Sequence, residues 1–340
     1  MKVDFDMENC ILIDWFSFTI RNYNSIFDVI NLLGFSDIEF QEAKYGFYGY
    51  MKRIFFDGVH IMWNHATESS DPQQDKFVLV EMTGQGCRDF DTYSSMNWDL
   101  LFAMVLDNPD VFHVTRLDVA YDDHADVFDI NKILKDTNKR NYVCRCNKFR
   151  HINDGTRNSD AISITFGSHS SDFYIRIYDK ARERGFHNQH WVRLECCFKQ
   201  DRAFTFLKNP LPLGEKLRGV IYNYLRFVIP CEDTNKSRWQ IRKYWLNFLG
   251  SCEKVSIYTK KDVDYNLSRL GNYVFGQAGN SIDTYIKCQG FINFLDNLLK
   301  RQSRLTVHQR SLIQQYVKDM ESHIFNNDDF INSLGDVYKL

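Results

Sequence analysis

Three separate runs of this 340-residue chain carry ionisable residues at alternate positions. In "TRLDVAYD" they are Arg116, Asp118 and Asp122, with Ala120 between. In "FYIRIYDK" they are Tyr174, Arg176, Tyr178 and Lys180, and in "WVRLECCFK" they are Arg193, Glu195 and Lys199, with Trp191 and Cys197. The intervening positions are apolar: Leu117, Val119 and Tyr121, then Phe173, Ile175 and Ile177, then Val192, Leu194, Cys196 and Phe198. Side chains alternate faces along a strand, so each run predicts one apolar and one charged face. If the strands share a sheet, the charged faces coincide. One reading is a solvated face of an antiparallel sheet. The other is a reactive surface, favoured by the small residues Ala120 and Cys197 among the charges. Such a surface suits phosphodiester transesterification. A phenol with an ordinary pKa near 10 needs cationic neighbours to attack. Carboxylates hold a hard divalent cation, Mg2+ or Mn2+, that polarises a phosphate.

The elements that must position these residues read as α+β. "NSIFDVINLLGF" predicts a helix, with Ser25 and Asp28 as a capping box and Gly34 as the stop. Aromatic-rich segments near Tyr45–Phe56, Val59–Trp63 and Phe77–Met82 read as strands of a meander. A second helix runs from about Ser95 to Leu106 and stops near Asn108-Pro109. "GQGCR" lacks the spacing of a dinucleotide loop, and its glycines suggest a tight turn, with Arg88 free to face phosphate. After "KNPLPLGEK" the pattern becomes helical, with Ile241, Trp245, Phe248 and Leu249 on one stripe and Phe291, Leu295 and Leu298 on another. The expected organisation is an antiparallel-sheet catalytic domain over residues 1–205, followed by a smaller helical C-terminal domain over 206–340.

Composition narrows the class. A net charge of −2 does not advertise nucleic-acid binding, yet a whole-chain sum can hide a local patch. Lys132 to Arg150 holds seven Lys or Arg against one acid, with Tyr142 and Phe149 interleaved, which suits single-stranded DNA or a solvated edge. "HNQH" (187–190) offers two histidines without a third ligand and reads as a turn. "NKSRWQIRKYW" reads as a duplex-binding helix or an amphipathic helix with a basic face. No run reaches a membrane span, no leader is visible, and the nine scattered cysteines read as reduced thiols of a cytoplasmic protein.

"TRLDVAYD", "FGSHSSDFYIRIYDK" and "WVRLE", in that order, resemble the Rep_trans replication initiation factors. These include rolling-circle plasmid initiators, phage replication proteins and relaxases of integrative conjugative elements. "VEMTGQGCRDF" and "ILIDWFSFTI" are similar to further segments of the family, so the resemblance covers roughly residues 11 to 200. It implies that Tyr178 is the nucleophile that nicks a replication origin and becomes linked to the 5′ end. It implies Asp118 and Glu195 as metal ligands, Asp122 as a third candidate, and Arg176 and Lys180 beside the scissile phosphate. The expected DNA contacts are Arg116, Arg193, Tyr174 as a stacking shelf, Arg182, Lys148 and Arg150. Tyr174 is also the rival nucleophile. Host helicase and polymerase, and a second copy of the chain, are the expected partners besides DNA. The alternatives are a relaxase acting at an origin of transfer and a non-catalytic DNA-binding protein on the same fold. The near-immediate start of the catalytic segment, with no room for an added helix-turn-helix domain, leans toward replication.

Overall fold

Alternation along the central strands decides the architecture. A computed structural model describes residues 10–21, 23, 25–64, 77–146, 149–156, 159–186, 188–259 and 270–300, with a few positions beyond. Side chains from 147 to 160 lie outside the described residues, so nothing is assigned to the expected DNA contacts Lys148 and Arg150; His187 also lies outside them.

The chain runs β1 (Ile11–Arg21), α1 (Ile26–Leu32), β2 (Gln41–Ala43), β3 (Lys52–Phe56), β4 (Val59–Trp63), β5 (Phe77–Met82), α2 (Gly84–Tyr93), α3 (Trp98–Asp107) and β6 (Phe112–Asp123). It continues through α4 (Ile130–Asn138), β7 (Tyr142–Cys144), β8 (Phe149–Thr156), β9 (Ser159–Phe166), β10 (Phe173–Asp179), α5 (Lys180–Glu183) and β11 (Val192–Lys199). Then come α6 (Asp201–Lys208), α7 (Leu213–Tyr224), β12 (Leu225–Phe227) and α8 (Lys243–Leu249). Ten strands form one antiparallel sheet in the order β2-β3-β4-β5-β1-β6-β11-β10-β9-β8, and β7 pairs with β12 in a small ribbon.

Register fixes which residues share a face. Leu117, Phe198 and Phe173 lie in one cross-strand row, Val119, Cys196 and Ile175 in the next, and Tyr121, Leu194 and Ile177 in a third. All nine are buried in one apolar core. Helices cover this side: Phe206 of α6 stacks on Phe198 at 4.3 Å, Phe248 of α8 sits 5.0 Å from Tyr121, and Phe102 of α3 meets Phe16 of β1 edge-on at 5.2 Å. Such aromatic pairs stabilise beyond their area alone.

The expected antiparallel α+β unit is what the structure shows, with four local differences. Ser25 caps α1 through Asp28 N–H as expected. The expected strand Tyr45–Phe56 divides into a loop and β3, because Tyr48 and Gly49 both take positive φ. "GQGCRDFDTY" is the helix α2, capped by Thr83, rather than a turn. Gly86 is required there for a different reason: a Cβ on it would lie 2.2 Å from the Gly58 carbonyl oxygen. "FYIRIYDK" leaves the sheet at Asp179, whose side chain caps α5, so Lys180 opens a helix. The boundary expected after residue 205 falls inside α6; the first compact unit extends to Thr259 because Leu217, Trp245, Phe248 and Ile257 all enter its core.

The second unit, Lys260–Leu340, is helical where described. It has a π-helical turn at Asn272–Gln277, then α9 (Gly279–Gln289) and α10 (Phe291–Lys300). Tyr285 and Phe294 meet edge-on at 6.2 Å, and Asn297 donates to the Tyr285 hydroxyl at 3.1 Å.

Candidate active site

The opposite face of the sheet carries three polar rows interleaved with the apolar ones. They are Asp118–Cys197–Tyr174, Ala120–Glu195–Arg176 and Asp122–Arg193–Tyr178. The three runs singled out in the sequence therefore converge. The Tyr178 hydroxyl donates to Glu195 Oε2 at 3.2 Å. Arg176 spans the pair, with its guanidinium 4.0 Å above the Tyr178 ring and Nη2 3.4 Å from the same Glu195 oxygen. Lys180, although on α5, still places its ammonium 5.3 Å over the ring while pairing with Glu183.

Burial sets the electrostatics. Tyr178 is 3% exposed, which raises its pKa above 10; the Glu195 charge raises it further, against the pull of Arg176 and Arg193. The Glu195 carboxyl is pushed up to about 7, chiefly by burial; Arg176 opposes this, while Asp118 and Asp14 reinforce it. Asp118 is also raised by burial, against a two-pronged bond from Arg116 at 2.9 and 2.5 Å. A raised carboxylic acid hydrogen-bonded to a phenol is a proton acceptor placed at its donor.

The expected site residues divide by placement. Tyr178, Glu195, Arg176 and Lys180 form one cluster, and Asp118 stands on the adjacent strand. Tyr174, the rival nucleophile, lies in the Asp118 row, with its ring 4.7 Å from the His169 ring. Asp122 gives both oxygens to Arg193 at 2.7 Å, and Arg193 gives its third nitrogen to Asp14 at 2.7 Å. That triad, in which Asp122 and Arg193 are buried and Asp14 is half-buried, ties β1, β6 and β11 together, and it commits all three Arg193 nitrogens to carboxylates. Arg182 is exposed and pairs with Asp179 at 3.4 Å. His190 pairs with buried Asp123 at 3.0 Å.

Sequence reasoning missed Asp14 and Trp15. The ladder between β1 and β6 slips between Ile13 and Trp15, and this bulge sends Asp14 toward Arg193. Trp15 lies opposite Asp118, with the Arg116 guanidinium 4.2 Å over its ring. The available signal was an acid inside the apolar run "ILIDWF".

The donor set suits a hard divalent cation in chemistry, because it is carboxylate oxygen throughout. Glu195 and Asp118 are both raised by burial, and Glu195 is raised further by its acidic neighbours, which is the imbalance a cation would relieve. Among the described residues no three ligating side chains are gathered closely enough to form a complete set.

A family model described as "Replication initiation factor" matches residues 112–299, and one described as "Rolling Circle replication initiation protein N-terminal domain" matches residues 10–104. The chain belongs to the replication initiation factor family. It is 29% identical over 241 residues to a Bacillus subtilis (strain 168) protein described as "Putative DNA relaxase NicK", covering 66% of each chain. It also superposes with a TM-score of 0.63, at 30% identity, on the rolling circle replication initiator protein of Geobacillus stearothermophilus, over 73% of this chain and 99% of that one. Among the described residues no helix is long and apolar enough to cross a membrane.

Proposed function

We propose that the chain nicks and rejoins one DNA strand at a replication origin by tyrosine transesterification, and so starts rolling-circle replication. The observation that carries this reading is the 3.2 Å hydrogen bond from the Tyr178 hydroxyl to a carboxyl whose pKa is lifted to about 7. Tyr178 Oη attacks the phosphorus, and its proton passes to Glu195. The new bond is Oη–P; the bond broken is P–O3′, and the departing 3′ oxygen takes a proton from water. Arg176 and Lys180 flank the ring and offset the charge that develops on the phenolic and phosphoryl oxygens. The 5′ end stays on the tyrosine, which conserves the phosphodiester, so rejoining needs no nucleotide cofactor. Asp118, with the Glu195 oxygen that does not accept from Tyr178, would hold Mg2+ or Mn2+, which when bound supplies polarisation of the scissile phosphate. Both aspartates give two oxygens to an arginine, but Arg116 is 30% exposed whereas Arg193 is 6% exposed and also held by Asp14, so Asp122 serves better as the counter-ion that fixes the strands. The freed 3′ hydroxyl is the primer a host polymerase and helicase would use.

A relaxase acting at an origin of transfer is the second reading, favoured by the likeness to the Bacillus protein. Both share the chemistry. The test is a supercoiled plasmid carrying the chain's own coding region and flanks, incubated with Mn2+ and run on a denaturing gel. The expected result is a nick with protein on the 5′ end, absent in Tyr178→Phe. Binding with the plasmid left intact would overturn the enzymatic reading and leave a DNA-binding protein on this fold.

A further inference from the structure

The polar face does not end at the tyrosine. The row through Arg116 continues across β1 and β5: Arg116 lies opposite Ser17, Ser17 opposite Glu81, and Glu81 opposite His60 of β4, which in turn faces Phe55 of β3. These residues share the side of the sheet that carries Asp118, since Arg116 reaches along the strand to hold that carboxylate. At the far end the loop between β2 and β3, "YGFYGYM", folds onto this face: Phe47 meets the His60 ring edge-on at 5.8 Å, and Tyr48 lies near enough to Glu81 for that carboxylate to raise its pKa. The loop is aromatic and open. Tyr45, Tyr48 and Met51 are 67 to 70% exposed, and Phe47 is 43% exposed.

Cations accompany the rings. The Arg53 guanidinium stacks 4.1 Å from the Phe47 ring centre, and the Lys44 ammonium lies 5.2 Å from that of Tyr45. A second observation is independent of exposure. Seven buried side-chain polar atoms among the described residues have no hydrogen-bond partner in the chain, and four of them are on this one face: Trp15 Nε1, Arg53 Nε, His60 Nδ1 and Arg176 Nε. Buried polar groups are normally satisfied, so their concentration here points to a ligand with many acceptors. Alternating flat rings and cations suit a polyanion with stackable bases, which a folded protein partner would not match.

We infer that this face is a track for single-stranded DNA, running from the tyrosine across the N-terminal half of the sheet to the Tyr45–Met51 loop, where unpaired bases stack on Phe47 and Tyr48. The loop joins β2 and β3, six strand spacings from β10, and its Phe47 reaches back over β4 at five spacings, roughly 25 Å from the nucleophile, so it grips the strand flanking the scissile phosphate rather than the phosphate itself. The inference rests on the reading that DNA is the substrate of the polar face.

The test uses the full chain in EDTA, so that no strand is cut. A fluorescein-labelled single-stranded oligonucleotide of about 15 nucleotides is titrated and followed by anisotropy. The double variant Phe47→Ala/Tyr48→Ala is expected to raise Kd about tenfold or more, with the melting temperature and the affinity for a blunt duplex of the same sequence unchanged. An unchanged single-strand Kd overturns the inference. So does an equal loss on the duplex, which would mean generalised damage or unspecific attraction. As a second readout, photocrosslinking to an oligonucleotide carrying 5-iododeoxyuridine should tag the peptide spanning 45–53; adducts confined to other peptides refute the track. Failure here is separable from failure of the nicking reading. Wild-type protein that nicks but binds single strands through other residues loses only the track. Protein that never nicks but loses single-strand affinity in the double variant loses only the chemistry.

Discussion

Replacing Glu195 by Gln removes one buried charge while keeping the side chain's shape, and its consequence can be worked from the structure. The carboxyl titrates near 4.5 in the unfolded chain and at about 7 in the folded one, principally because burial disfavours the anion. At 1.36 kcal/mol for each tenfold change in proton affinity, that difference is about 3 kcal/mol. The sign follows from proton counting. Between pH 4.5 and 7 the folded state holds the proton and the unfolded state has released it, so stability falls as pH rises through that window. Glu195→Gln has no such group. In EDTA, its stability relative to wild type is expected to increase by about 3 kcal/mol between pH 4.5 and 8, as measured by urea unfolding at successive pH values. Mn2+ at pH 8 should recover stability in wild type and much less in the variant, because the cation needs the anion that the variant lacks. The variant should also lose nicking. Parallel stability profiles for the two proteins in EDTA would refute the assignment of Glu195 as the raised acid of this site, and with it the proton acceptor of the proposed mechanism.

Three further outcomes are expected. Tyr174→Phe should keep nicking within a few-fold of wild type on the denaturing gel, since its ring lies in the Asp118 row and the carboxyl acceptor is bonded to Tyr178. Asp122→Ala should lower stability by about 3 kcal/mol or more in urea unfolding, because it strips two hydrogen bonds from a buried Arg193 and leaves Asp14 alone to balance the charge. Gly86→Ala should lower the melting temperature by several degrees or abolish soluble expression, as its Cβ would collide with backbone at Gly58 rather than with a movable side chain.

The strands that build the polar face were legible because their period was unambiguous. Each of the three runs alternates strictly, and a single sheet was enough to bring Tyr178, Glu195, Arg176 and Asp118 to one face. Periodicity alone put Tyr178 and Tyr174 on the same face and did not choose between them; in the structure it is Tyr178 that donates to Glu195. Less legible were features that depend on tertiary partners. Asp14 reaches Arg193 only because a bulge rotates it out of an apolar strand, and a sequence window gives no sign of a register slip. Arg193 looks like any charged-face arginine until the two acids on either side of it are seen. Helix α2 begins with two glycines two residues apart, a poor helical start on propensity, and is rescued by the Thr83 cap and by close packing against Gly58. The extent of the first unit was hidden by the Pro-rich stretch before α7. It resembles a linker, yet it only turns the chain back so that α7 and α8 complete the core.

Strand β1 lies mid-sheet, with β5 on one side and β6 on the other. It is synthesised before both neighbours, which follow only some 60 and 100 residues later. Until both have emerged, the nascent chain carries a bare, aromatic-rich strand with two unpaired edges, a template for wrong pairings. The same seam stitches the segments matched by two family descriptions into one sheet, so cutting the gene between them would leave each product with a raw border where its neighbour had been.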